Sequence, residues 1–359
     1  MHQFSSANNI FSMEQIKTNR IGYIDAMRGM AMILVVYSHI SAFALGSYTL
    51  AYNDILERIR MPAFFFISGW VFYKPRIWNW KEIRNMVSKK FMVQIIPTVI
   101  FMLLYLYAFD LMNISVLGSD KRGYWFTFVL FEYFLIYIGA EAILNRNNSI
   151  QGEMRVLAVI LLFSVSAFYY ATYYYHHAEE LGNLKTILGF FSFVKIRHLV
   201  FFWFGTFVRR YFNAFVRLTD NVIIMALTIS AFVAMNLFSM IYSTKGLEYI
   251  AYLLTGIAGI IIFFTFFRIY QERFSTATQI GKTLQFIGRR TLDIYLLHYF
   301  VLPYDLLNAG AWMLEHNNKP LDALISLILA LWVITLSLIL SSIIRLSPFL
   351  AKHLFGAKN

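Results

Sequence analysis

Cysteine is absent from all 359 residues. Disulfides and thiolate chemistry are therefore excluded, and cysteine usage says nothing about redox compartment. Charge is scarce as well. Asp, Glu, Lys and Arg make up 14% of the chain, where a soluble protein carries about a quarter. Glycine-rich phosphate loops and dinucleotide fingerprints are missing. The first twenty residues lack the short apolar core and cleavage site of a signal peptide. No internal repeat, low-complexity tract or interdomain linker stands out. His176 and His177 are adjacent rather than at i, i+4, and no acidic residue or third His at ligand spacing accompanies them, so no metal site is expected.

What the chain has in abundance is apolar sequence: 59% hydrophobic residues and a mean hydropathy of +0.60. Ten runs are long enough to cross a bilayer, near residues 22–45, 55–73, 91–113, 123–144, 154–175, 190–211, 221–242, 248–270, 284–306 and 321–345. Glu57, Arg58 and Arg60 crowd the start of the second and leave it short. The expected fold is an all-α integral membrane bundle of about ten transmembrane helices. A tail over 1–20 precedes it and another over 346–359 follows, with no room for an appended soluble domain. Of the 31 Lys and Arg, twenty-one fall on one side of these spans and nine on the other, with Arg28 inside the first. The excess of positive charge marks the cytoplasmic side, which places both termini there. The formal charge of +12 lies in loops between apolar runs. It fits topology and anionic headgroups, not nucleic acid.

The first run carries an acid, a base and an imidazole, which are costly at that depth and usually face the protein interior. Arg28 and His39 are eleven residues apart, which on a helix separates them by only about 20° in angle and about 16 Å along the axis. Asp25 precedes Arg28 by three and can pair with it on the same face. The stripe thus offers a charged pair near the cytoplasmic surface and a His three turns deeper. The structural alternative is an Asp25–Arg28 pair with His39 bonded to a neighbouring helix.

Other polar groups recur inside the spans. Thr291, Tyr295 and His298 share one face at i, i+4 and i+7, with His298 near the level of His39; it meets substrate or makes a helix-packing hydrogen bond. Trp125 and Glu132, seven apart, also share a face. Glu132 near mid-membrane reads as an interior group, with Arg60 as its cation or, equally, with Arg60 snorkelling to the outer surface. Ser68-Gly69 reads as a close helix contact rather than a nucleophile. The aromatic run from Tyr169 to Tyr175 reads as an interfacial belt. Lys195, Arg197 and His198 hold an anionic acceptor or snorkel.

Four motifs, in order, resemble the membrane-bound acyltransferase-3 family. Ile24-Asp25-Ala26-Met27-Arg28-Gly29 with His39 resembles its first-helix Arg, ten residues, His signature. Met61-Pro62-Ala63-Phe64-Phe65-Phe66-Ile67-Ser68-Gly69 resembles its second-helix pattern, Tyr124-Trp125-Phe126 its Trp-Phe element, and Thr291-Leu292-Asp293-Ile294-Tyr295-Leu296-Leu297-His298 its late Thr-Leu-x-Ile-Tyr-Leu-Leu-His element. Lys89-Lys90 ahead of Pro97 loosely matches a basic pair before Pro-Pro-Tyr, although Thr98 follows a single Pro here.

The resemblance implies transfer of an acyl group, usually acetyl from acetyl-CoA, to a hydroxyl of a cell-surface carbohydrate or glycolipid in a bacterial inner membrane. His39 is then the expected base, since imidazole titrates in the range this task needs. Arg28 has a planar, permanently charged fork suited to CoA phosphate, and its offset from His39 is comparable to the reach of a pantetheine arm. Lys89, Lys90, Arg289 and Arg290 sit at cytoplasmic helix ends and are expected to join the phosphate site. Glu132 and His298 complete the expected catalytic set; Asp25, Arg60, Ser68, Trp125 and Tyr295 are expected in structural or acceptor-side roles. The alternative from another class is a secondary transporter or lipid-linked glycan flippase, because buried Arg, Glu and His also suit a proton pathway. The missing repeat symmetry speaks against it.

Overall fold

A computed structural model describes residues 21–46, 52–74, 78–111, 118, 120–176, 182–241, 245–304 and 306–356. The whole of the expected 1–20 tail, residues 357–359 including Asn359, and His177 lie outside the described residues. All described elements are helical. In chain order they are α1 (Gly22–His39), α2 (Asn53–Phe72), α3 (Trp80–Lys90), α4 (Ile96–Ala108), α5 (Trp125–Leu144), α6 (Ile150–His176), α7 (Gly182–Phe190), α8 (Leu199–Arg210), α9 (Phe212–Thr219), α10 (Val222–Ile241), α11 (Lys245–Ile269), α12 (Gln279–Arg289), α13 (Thr291–Leu297), α14 (Leu307–His316), α15 (Lys319–Ile344) and α16 (Pro348–Phe355).

Among the described residues six helical stretches are long and apolar enough to cross a membrane: Gly22–Ala44, Trp80–Ala108, Trp125–Leu144, Ile150–Tyr173, Leu247–Ile269 and Lys319–Ile344. Two bent pairs, α7 with Phe193–Arg210 (50°) and α9 with α10 (81°), raise the number to eight. Among the described residues two of the ten expected runs do not qualify as spans, for physical reasons. The second run does form a 20-residue helix, α2, but Asp54, Glu57, Arg58 and Arg60 load its first half with charge. The ninth run breaks into α12, α13 and a 3₁₀ turn at His298–Phe300, each too short to span.

Local signals set the element ends. Asn79, Thr278 and Asn318 cap α3, α12 and α15 by accepting the backbone N–H of Glu82, Gly281 and Leu321. Between α3 and α4 the chain takes a π-helical turn, Phe91–Ile95, directly ahead of Pro97. Proline has no N–H and its ring crowds the carbonyl one turn back, and the wider turn accommodates both.

The first helix is the hub. α1 packs against α2, α11, α12, α13 and α15, and its side chains from Tyr23 to Met27 are buried. Two crossings depend on glycine. A β-carbon on Gly29 would overlap the carbonyl of Leu284 in α12, and one on Gly288 would overlap that of Asp25 in α1. Gly69 of α2 and Gly205 of α8 meet the carbonyls of Phe202 and Phe66 in the same way. Backbone thus lies on backbone, the small-residue packing that membrane helices favour. Ser68 does not cross to the other helix; its hydroxyl donates to Phe64 O at 2.8 Å.

Candidate active site

A cavity of about 320 Å³ runs between α1, α2, the π turn, α5 and α13. Arg28, Lys90, Gln94 and Thr291 line one end, and His39, Gly123, Trp125 and Tyr295 the other. Met32 and Val35 of α1, Phe64 and Ile67 of α2, and Leu130 and Phe134 of α5 wall the space between. The eleven-residue stripe therefore faces one continuous cavity. Val71 and Val93, at 51% and 37% exposed, are the lining residues most open to the surroundings. They adjoin Phe72 and the π turn that begins after Lys90, so the cavity opens at its Arg28 end.

At that end Arg28 Nη2 donates to Thr291 Oγ1 at 2.9 Å. Lys90 holds its ammonium 4.1 Å from the centre of the Phe134 ring, a cation–π contact that leaves its N–H groups for other acceptors.

At the other end two imidazoles meet. His39 Nδ1 lies 2.8 Å from His298 Nε2, and His298 is fully buried. The tautomers follow from what surrounds them. His298 Nδ1 faces two carbonyl oxygens, Ile294 O at 3.0 Å and Tyr295 O at 2.9 Å. Carbonyls only accept, so this nitrogen carries the hydrogen and, in the neutral ring, Nε2 is an acceptor. His39 Nδ1 must then be the donor, which leaves the His39 Nε2 lone pair available. This assignment rests on the hydrogen-bond network. Tyrosines pack around the pair: the Tyr299 ring centre lies 3.9 Å from that of His298 and 5.5 Å from that of His39. Tyr124 donates to Leu296 O at 3.0 Å and Tyr304 to Tyr299 O at 2.6 Å.

The face shared by Thr291, Tyr295 and His298 is thus engaged at this site: Thr291 meets Arg28, Tyr295 bridges to α5, and His298, in the 3₁₀ turn after α13 and not itself a lining residue, meets His39. The Tyr295 hydroxyl accepts from Phe126 N at 3.1 Å and donates to Gly123 O at 3.3 Å.

Other expected residues lie elsewhere. Glu132 is not a lining residue. The cavity-facing side of α5 carries Phe126, Leu130 and Phe134, and Glu132 points roughly opposite to it at 100° per residue. Trp125 has the same heading but reaches the cavity because its indole is large and sits at the helix start. Arg60 donates to Asn53 Oδ1 at 3.0 Å, and the cation beside Glu132 is Lys121. That lysine, in the turn before α5, is pushed by burial down to about 8, while the carboxylates of Glu132 and Asp120 pull it back up. Lys89 and Arg289 are exposed. Arg290 is engaged with Asp293 and Ser341, at 3.3 and 3.0 Å, in a cluster completed by Arg345. Asp25 is buried in the first turn of α1.

Sequence reasoning passed over Lys121, whose ammonium donates to Ser192 Oγ at 2.7 Å and Phe190 O at 2.9 Å. It also passed over Gln94, which sits one turn beyond Lys90. Among the described residues no group of three His, Asp or Glu could hold a metal.

Compared with known families, residues 21–345 match a model described as an acyltransferase domain. No curated protein and no solved structure gives a significant match.

Proposed function

The chain belongs to the acyltransferase-3 family, and from that premise we propose that this membrane acyltransferase moves an acetyl group from acetyl-CoA to a hydroxyl of a surface carbohydrate or lipid-linked glycan. The observation that carries the reading is one cavity lined by both Arg28 and His39. CoA arrives at the open end, which the positive-inside rule assigns to the cytoplasm of a bacterial inner membrane. Arg28 and Lys90 take its phosphates; the exposed Lys89, next to Lys90, and the exposed Arg289, two residues before Thr291, extend the basic surface. The pantetheine arm lies along the apolar wall and brings the thioester to His39.

The chemistry then needs one base. His39 Nε2 accepts the proton of the acceptor hydroxyl as its oxygen attacks the thioester carbonyl. When the tetrahedral adduct collapses, the carbon–sulfur bond breaks, and the same nitrogen returns the proton to the departing CoA sulfur. His298 holds His39 in the tautomer this requires, the positioning role of the third member in a nucleophile–base array. Trp125 and Tyr295 stand on the acceptor side.

The test is acyl transfer by purified protein given labelled acetyl-CoA and a glycan acceptor, with His39→Ala as control. That substitution is expected to lower turnover by at least about a hundredfold while the protein stays folded. Wild-type turnover in His39→Ala would remove the base from the mechanism. Substrate flux in liposomes without any transfer would favour a transporter instead.

A further inference from the structure

The cavity opens at the Arg28 end, yet the reaction proposed above joins two substrates. The Trp125 indole lines the cavity. Lys195 Nζ lies 4.8 Å from its ring centre, and the same ammonium pairs with Asp120 Oδ1 at 2.7 Å. The Asp120 side chain is 74% exposed. The indole that lines the cavity is thus linked, through the Lys195 ammonium, to an exposed carboxylate.

The backbone carrying Trp125 is unusual as well. Lys121, Arg122 and Gly123 have φ of 43°, 51° and 99°, three successive left-handed residues of which two bear side chains. Such strain persists only where the surroundings hold it, and it concentrates at clamps and switches. Here the hold is the Lys121 ammonium, buried and bonded to Ser192 and Phe190, in the same loop region as Lys195.

We propose that Trp125 is a door between the catalytic cavity and the Asp120 face, latched by the Lys195–Asp120 pair, and that the acceptor carbohydrate reaches His39 by displacing it. The inference rests on the acyltransferase reading for the identity of the visitor. The door itself rests on geometry alone. A saccharide suits this passage because its hydroxyls compete for Lys195 and Asp120 while its apolar face stacks on the freed indole. Latched, the door keeps the thioester from water on that side until an acceptor arrives.

Because the chain has no cysteine, the door can be probed with a single introduced thiol. Val35→Cys places it on the cavity wall, one turn from His39. A membrane-impermeant methanethiosulfonate is applied in turn to the Asp120 side and to the Arg28 side, in intact cells and in inverted vesicles. With the latch intact, the thiol should react slowly from the Asp120 side. Adding Trp125→Ala or Lys195→Met should accelerate that reaction at least tenfold and leave the rate from the Arg28 side unchanged. Asp120→Asn, at an exposed position that does not threaten folding, should accelerate it severalfold. Equal rates from the Asp120 side in all variants, or fast labelling with the latch intact, would overturn the door. Labelling needs no turnover, so absence of acyl transfer in the purified parent would refute the function and not the door.

Discussion

A neutral imidazole has two ring nitrogens, and the 2.8 Å bond from His39 Nδ1 to His298 decides which of them is free. His298→Phe keeps a ring of similar bulk but removes the acceptor. His39 then loses both its orientation and its tautomer, and turnover should fall on the order of a hundredfold, with acyl-CoA affinity unchanged. His298→Gln, which can offer an amide oxygen in the same place, should recover part of the loss. Equal impairment of the two variants, or a fall in donor affinity, would make His298 a packing residue only. At the other end Arg28→Lys keeps the charge and loses the planar fork, so CoA binding by calorimetry should weaken, and Arg28→Ala should weaken it further. Unchanged affinity in folded Arg28→Ala would move the phosphate site to Lys90 and its neighbours. That these two residues share a heading was legible from spacing, since eleven residues return a helix almost to the same direction; the roles expected of them came from the family resemblance. Glu132 shows where spacing misleads. It shares its heading with Trp125, but a carboxylate on that heading faces Lys121, and only an indole at the helix start reaches back into the cavity.

Helix crossings carry the site. The Gly29–Gly288 contact sets the distance between α1 and α12, and α12 leads directly into α13, which carries Thr291 and Tyr295 and runs into the 3₁₀ turn that holds His298. Gly288→Ala drives a methyl into the Asp25 carbonyl. Overpacking of this kind typically costs about 1–3 kcal/mol, and here it also tilts His298 away from His39. The expected outcome is a lower unfolding temperature together with lost turnover. Gly139→Ala, where a β-carbon meets nothing within 4 Å, is the control and should leave both near wild type. Apolar run length made most of these helices readable, and the helix type was never in question. The breaks were harder to see. The turn at Arg290 between α12 and α13 carries no proline, and its cause is tertiary: Arg290 swings to Asp293 and Ser341, and Arg345 adds 2.8 and 3.0 Å bonds to the Asp293 carboxylate. No window of sequence contains residues fifty positions apart. The π turn before Pro97 was hidden for a different reason, since a proline within an apolar run announces a disturbance without saying which kind.

On the scale of the whole molecule, orientation is the first thing to establish. Tags at the amino terminus, in the segment holding Lys81 and Arg84, and at the carboxyl terminus should all report cytoplasm, and a tag near Gly182 the opposite side. A periplasmic amino terminus would reverse the direction from which CoA arrives. If the orientation holds, the opening at the Arg28 end has a consequence for traffic. Spent CoA must leave by the passage through which fresh acetyl-CoA arrives, so the two exclude one another. Steady-state inhibition by CoA should be competitive against acetyl-CoA and not competitive against the acceptor; competition with the acceptor would put both substrates through one opening. An enzyme inhibited in this way responds to the ratio of acetylated to free CoA rather than to the amount of either. The extent of decoration on the cell surface would then follow the acetyl-CoA supply of the cytoplasm, with no regulatory domain needed to report it.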